Sequence, residues 1–312
     1  MRNMEENTNS ELKFEKEILA PYTYLLQIKG KKVRVKIADA FNHWLKLSDE
    51  KLREIVDTVD MVHIASLLFD DIQDSTKLRR GIPAAHRVYG IPLTLNTSMH
   101  VLFLVMKRLV ELHPEAADIY ATEFLDALRG QGADLYWREN FRCPTVQEYN
   151  KMAQQKTGRM FTLGLRLCQL FSDYKTDLCP LALQLGLYFQ IRDDYCNLKQ
   201  QEALEEWPSE DDKQAVTEDS YCEDLTEGKF SLSIIHAMGT PEGEEVLNIL
   251  RQRTEDIELK KYCVALLEKS GSLAYVRSVL EDLNRSTRAE VARLGGNPQM
   301  EAVLDEMESW KD

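Results

Sequence analysis

Proline punctuates this chain without entering its apolar segments. Pro92, Pro114, Pro144, Pro180, Pro241 and Pro298 each stand between stretches of helical periodicity, and Pro21 breaks the first of them. A proline inside a helix removes a hydrogen bond and clashes with the preceding turn, so this placement delimits helices. The segments so bounded, 93–113, 115–129, 146–171, 181–198, 242–253, 255–270 and 272–294, show no sustained period-2 alternation. Only 14 glycines and 9 prolines in 312 residues leave little material for a turn-rich β architecture. The prediction is an all-α fold, a single domain (1–312) of roughly ten or more helices.

Ser48 is the predicted N-cap of a long helix, with Lys51 at the position a capping box gives to Glu. Ile55, Val56, Val59, Val62, Ile64, Ala65, Leu67, Leu68 and Phe69 make that helix apolar nearly all round, which puts it in the interior. Residues 1–10 read as a polar tail. The stretch 200–220 holds eight acids and one lysine, Lys213, and reads as a solvated surface loop. A net charge of −13 argues against nucleic acid as a partner. Six cysteines with no C-x-x-C pair, a polar amino terminus and no span of membrane length lead us to expect a cytoplasmic protein.

Two acidic clusters carry the chemistry. The first, Asp70-Asp71-Ile72-Gln73-Asp74, closes the interior helix, and Asp70 and Asp74 lie one turn apart on one face with His63 and Ser66 behind them. Like charges ~4 Å apart cost about 4 kcal/mol at an effective dielectric of 20, so this helix end calls for cations. Hard carboxylate oxygens suit magnesium, which keeps waters and bridges to phosphates. In the second cluster, Gln190, Asp193 and Asn197 form a stripe at i, i+3 and i+7, with Asp194 beside it. One such cluster alone reads as a solvated helix end. Two, each after a buried helix, read as the walls of a metal site. Around them stand Lys77-Leu78-Arg79-Arg80-Gly81, Lys156-Thr157-Gly158 and Glu227-Gly228-Lys229, donors of the kind that hold a diphosphate.

Together with Gly30-Lys31-x-x-Arg34 and Phe189-Gln190, these motifs resemble the trans-isoprenyl diphosphate synthases, and most closely the animal geranylgeranyl diphosphate synthases. Runs 40–46, 171–175 and 249–255 add to the likeness, which covers about residues 19–298. The resemblance implies an isoprenoid-synthase helical bundle around a central cavity, working as a homodimer. It implies three magnesium ions, with Asp70, Asp71, Asp74, Asp193, Asp194 and Asn197 as the ligand set. Arg79, Lys156 and Lys229 would hold an allylic diphosphate, with Thr157 and Gln190 beside the allylic cation. Lys31, Arg34, His63 and Arg80 would hold isopentenyl diphosphate. Product length would depend on a pocket at Ala65 and Ser66, unless Phe69, Met99 or His100 closes it elsewhere.

Three positions depart from the family's pattern. Asp219 stands where it has Lys, Ile64 where it has Asn, and Arg159 where it has a second Gly. Terpene synthases descended from the family keep the magnesium motifs but release a hydrocarbon or alcohol from an allylic diphosphate. Such a synthase has no need of an isopentenyl site, and here Lys31, Arg34, His63 and Arg80 are all present. The expectation is therefore a chain-elongating prenyltransferase, with the terpene synthase as the alternative and a non-catalytic partner subunit third.

Overall fold

The computed structural model describes residues 14–28, 33–199 and 221–311. Lys31, Asp219, Lys213, the polar tail and the acidic stretch 200–220 lie outside these described residues. What is described is all-α, the helical bundle of the isoprenoid synthases. In chain order the helices begin with α1 (Ala20–Leu25), α2 (Val33–Leu45) and α3 (Asp49–Asp74). After a two-stranded hairpin, β1 (Leu78–Arg79) and β2 (Ile82–Pro83), come α4 (Ala85–Tyr89), α5 (Ile91–Leu112), α6 (Ala116–Asn140) and α7 (Val146–Ala153). A π turn, Gln154–Gly158, then leads into α8 (Arg159–Gln169) and α9 (Cys179–Lys199). The remainder is α10 (Glu223–Glu227), α11 (Leu232–Ala237), α12 (Gly243–Arg251), α13 (Ile257–Lys269), α14 (Ser272–Arg293) and α15 (Pro298–Met307).

The helix boundaries follow local chemistry. The Ser48 side chain accepts from the Lys51 backbone N–H, which caps α3 without help from a capping box. Prolines occupy the first turn of α1, α5 and α15, where an N–H would be an orphan anyway. The hairpin was not foreseen. Its two loop residues, Arg80 (φ 53°) and Gly81 (φ 78°), both take positive φ, as a two-residue turn matched to strand twist requires.

Helix α3 lies against α5 on one side and α8 on the other, while α6 packs on α5, α8 and the π turn. Helix α9 packs on the π turn, α8 and α14. One main apolar core runs from Ile37 and Phe41 through Ile55, Leu163, Leu185 and Tyr188 to Leu280 and Leu304. Arg192, buried at 1% exposure, donates from Nε to the Met307 carbonyl at 3.1 Å and ties α9 to the carboxyl-terminal end. Among the described residues no helix is long and apolar enough to cross a membrane.

Candidate active site

Helices α3, α6 and α9 and the π turn enclose a cavity of about 210 Å³. Its lining is of two chemical kinds. Phe69, Phe124, Ala127, Leu128, Met160 and Phe189 line it with hydrocarbon, whereas Asp70, Asp74, Asp193, Asp194, Asp224 and Glu227 bring carboxylates. Arg34, Arg79, Lys156 and Lys229 line it too, so six acids meet four side-chain cations. The two helices carrying the aspartate clusters do face each other across this space.

Each cluster divides in two. Asp71 is fully buried and receives both Arg79 Nε, at 2.7 Å, and Arg79 Nη2. Asp194, at 3% exposure, accepts from Tyr149 Oη at 2.6 Å, Lys229 Nζ at 2.8 Å and Gln190 Nε2 at 2.9 Å. These two carboxylates are engaged by protein donors, and Asp194 also lines the cavity. Asp70, Asp74 and Asp193 line the cavity with more of their surface facing it. Asn197 also lines it, and its Oδ1 accepts the Asp224 backbone N–H at 3.3 Å.

Helix α6 supplies partners that sequence reading missed. Gln131 Nε2 donates to Asp70 Oδ1 at 2.7 Å and to Gln73 Oε1 at 2.9 Å. Arg138 Nη1 donates to Asp74 Oδ1 at 2.7 Å, and its Nη2 donates to the Gln73 carbonyl at 3.0 Å. Lys156 Nζ lies 3.0 Å from Asp134 Oδ2 and 4.0 Å from Asp70 Oδ1. The Thr157 hydroxyl donates to Gln190 Oε1, joining the π turn to α9. Gln131, Asp134 and Arg138 sit at i, i+3 and i+7, the same stripe that exposed Gln190, Asp193 and Asn197 in the sequence.

The protonation behaviour reflects the excess of acid. Burial, and then the charge of Asp70, raise the Asp74 carboxyl despite Lys156 and Arg138. Burial, Asp74 and Asp224 push Glu227 well above the ordinary carboxylate range. Burial would raise Asp134 as well, but Lys156, Lys229 and Arg138 outweigh it and hold that carboxyl low. Asp70, Asp74 and Glu227 share Arg79, Arg138 and Lys156, yet burial and mutual repulsion still raise Asp74 and Glu227. No three carboxylates, thiols or imidazoles among the described residues make a ready cage for a metal. Separated hard oxygens on opposite walls fit an ion that completes its shell with water and phosphate, as magnesium does.

A second polar region lies at His63, which lines the cavity and is buried. Burial, followed by the charges of Arg34, Arg80 and Arg79, lowers its basicity well below the usual imidazole range. Arg34 lines the cavity, while Arg80 sits beside it and donates from Nη1 to the Ile28 carbonyl at 3.1 Å.

Of the residues expected to set product length, Ser66 and Phe69 line the cavity. Ala65 is fully buried away from it, where its carbonyl accepts the Ser98 hydroxyl of α5 at 2.7 Å. It serves close packing of α3 on α5. Met99 is 54% exposed, His100 Nε2 lies 3.5 Å from Glu15 Oε1, and neither is among the residues lining the cavity. Ile64, one of the departures, packs with Leu25, Leu68 and Ala85 and does not line the cavity.

The sequence model for polyprenyl synthetase matches residues 15–267. The chain belongs to the polyprenyl synthetase family. It is thereby an enzyme of prenyl transfer, as its motifs led us to expect. Among known members, a "Terpene synthase" from Matsumurasca onukii is 49% identical over 306 residues, 97% of each chain. A "Geranylgeranyl pyrophosphate synthase" from Mucor circinelloides f. lusitanicus is 40% identical over 96% of this chain and 95% of its own. One from Dictyostelium discoideum is 41% identical over 94% and 93%. Both chemistries weighed from the motifs occur among these relatives.

Proposed function

We propose that this chain condenses isopentenyl diphosphate with an allylic diphosphate, yielding geranylgeranyl diphosphate, with three magnesium ions held by Asp70, Asp74 and Asp193. When bound, the metal supplies charge to the departing diphosphate. Lys156 and Lys229 donate to that leaving group, and Arg79 stands beside it. Charge-assisted donors strengthen as the leaving group gains charge, so they act on the barrier to ionisation. The Thr157 oxygen, whose proton is turned toward Gln190, presents lone pairs near the allylic cation, and the apolar wall from Phe69 to Phe189 shields the cation from water. The isopentenyl double bond attacks the allylic carbon, and a proton then leaves to the departing diphosphate.

One observation supports this reading: basic side chains act in two regions, by the aspartates and by His63. Lys156, Lys229 and Arg79 stand by the aspartates, and the charges of Arg34 and Arg80 act on His63. An enzyme that only ionises one diphosphate needs the first region alone. The second reading, a terpene synthase, is favoured by the relative of that name at 49% identity. Mass spectrometry of products, with each allylic diphosphate supplied with and without isopentenyl diphosphate, separates the two. We expect a C20 diphosphate and consumed isopentenyl diphosphate. Volatile terpenes with isopentenyl diphosphate untouched would establish the alternative, and no turnover in any combination would point to a partner subunit.

The homodimer belongs to the same proposal. Ile91, Leu95, Met99, Phe103 and Val110 are exposed along α5, with Leu125 and Tyr136 on α6, an apolar face of the kind that a second copy covers. Light scattering at micromolar concentration should give twice the chain mass, and a monomer would refute it. The cytosol suits a chain whose six cysteines are all free of disulfides.

A further inference from the structure

Lys156 and Thr157 reach the cavity from the π turn Gln154–Gly158. A π turn inserts one residue into a helix, and such bulges concentrate at functional sites. This one is gripped from two sides. A Cβ on Gly130 of α6 would stand 2.4 Å from the Lys156 backbone nitrogen and 2.8 Å from Gln155 Cβ. A Cβ on Gly186 of α9 would stand 2.2 Å from Gly158 Cα and 2.6 Å from its nitrogen. Backbone fills both places, so only glycine lets the helices close on the turn.

The third hold is ionic. Arg159, the first residue of α8, places Nη1 3.3 Å from Glu123 Oε2 and Nη2 2.9 Å from Asp126 Oδ2, both on α6. We infer that Arg159 is a positioning residue, whose ion pairs to Glu123 and Asp126 lock the π turn onto α6 and so aim Lys156 and Thr157 at the substrate. The inference rests on the reading of Lys156 as a diphosphate donor.

Neutralising buried acid does not require Arg159. Glu123, at 1% exposure, also accepts from Arg166 Nη1 at 2.6 Å and from the Thr162 hydroxyl at 2.5 Å. Asp126 also pairs with Arg129 at 2.9 Å. Removing Arg159 leaves both carboxylates with donors, and what disappears is the tether between the turn and α6. Lys156 Nζ reaches Asp134 on that same helix, so slippage of the turn changes where the ammonium points.

The test compares Arg159→Met and Arg159→Lys with the wild-type chain. Arg159→Met should raise the KM for the allylic diphosphate about tenfold, the lower end of what one charge-assisted bond contributes, because Lys156 is misaimed rather than lost. The KM for isopentenyl diphosphate should stay within about twofold, since Arg34 and His63 lie on other helices, and the melting temperature should be unchanged, since Glu123 keeps Arg166 and Thr162 as donors and Asp126 keeps Arg129. Arg159→Lys should recover most of the loss, and Gly186→Ala, where it folds, should move the allylic KM the same way. Equal changes in both KM values, a matching fall in melting temperature, or normal kinetics for Arg159→Met would overturn the inference. Calorimetry with inorganic diphosphate and magnesium separates it from the functional reading. If the wild-type chain binds this probe without consuming isopentenyl diphosphate, the proposed function fails. Weaker binding by Arg159→Met would still support the positioning role, and equal binding would refute it.

Discussion

The two aspartate clusters look alike as letters and differ as electrostatic objects. In both, adjacent aspartates differ in exposure: Asp71 and Asp194 are buried against protein donors, while Asp70 and Asp193 present more surface to the cavity, whose lining Asp194 only touches. Successive helix residues point about 100° apart, so two adjacent acids cannot present themselves equally to one cavity. The difference is position along the helix. Asp74 ends α3, where unpaired carbonyls give the negative pole of the helix dipole. Asp193 lies well inside α9, which continues to Lys199. The first cluster thus faces its own helix end and the mutual repulsion of Asp70 and Asp74. The second has Lys229 bonded to Asp194 within it. The first should therefore depend more on added cations, and the second more on its internal bonds.

The largest effect that sharpens this contrast concerns stability at the second cluster. Asp194→Asn takes a buried carboxylate from Lys229 and Tyr149, and should lower unfolding free energy in urea by about 3 kcal/mol. Asp193→Asn, on the cavity side, keeps an amide oxygen to accept from the buried Arg192 at 3.2 Å and should cost less, about 1 kcal/mol. Equal costs would erase the division between an architectural and a cavity-facing aspartate.

A smaller effect tests the first cluster. The Glu227 carboxyl is raised on folding by burial, Asp74 and Asp224, so its contribution to stability is complete below the ordinary value of 4.5. It is lost as pH rises through the folded value. Metal-free Glu227→Gln should thus melt above the wild-type chain at pH 7.5, by about 2 °C for each kcal/mol relieved. The two should converge near pH 4, and magnesium with diphosphate should narrow the gap. A lower melting temperature for the variant at pH 7.5 would mean that Arg138 and Lys229 already neutralise this wall.

What the sequence made legible was periodic. Helix α3, its Ser48 cap and both acidic stripes announce themselves because burial and chemistry recur at helical spacing. What stayed hidden depends on tertiary contact. Helix α6 reads as ending at Arg129 because Gly130 and Gly132 follow, yet it continues to Asn140, and Gly130 is where the π turn packs. That error concealed Gln131, Asp134 and Arg138. The hairpin at Arg80-Gly81 is too short to carry any period. Ala65, five residues before Asp70, suits a pocket wall or close helix packing equally well in the sequence, and the Ser98 hydroxyl of α5 on its carbonyl supports the packing role.

We propose that Asp70, Asp74 and Asp193 would hold the metal while Asp71 and Asp194 hold protein donors. Anomalous diffraction from crystals grown with manganese and a non-ionisable allylic diphosphate analogue tests it most directly. Metal peaks are expected at coordination distance, roughly 2.0–2.3 Å, from carboxylate oxygens of Asp70, Asp74 and Asp193, with Asp71 still on Arg79 and Asp194 still on Lys229. Metal bound by Asp71 or Asp194, or no metal at Asp193, would contradict it.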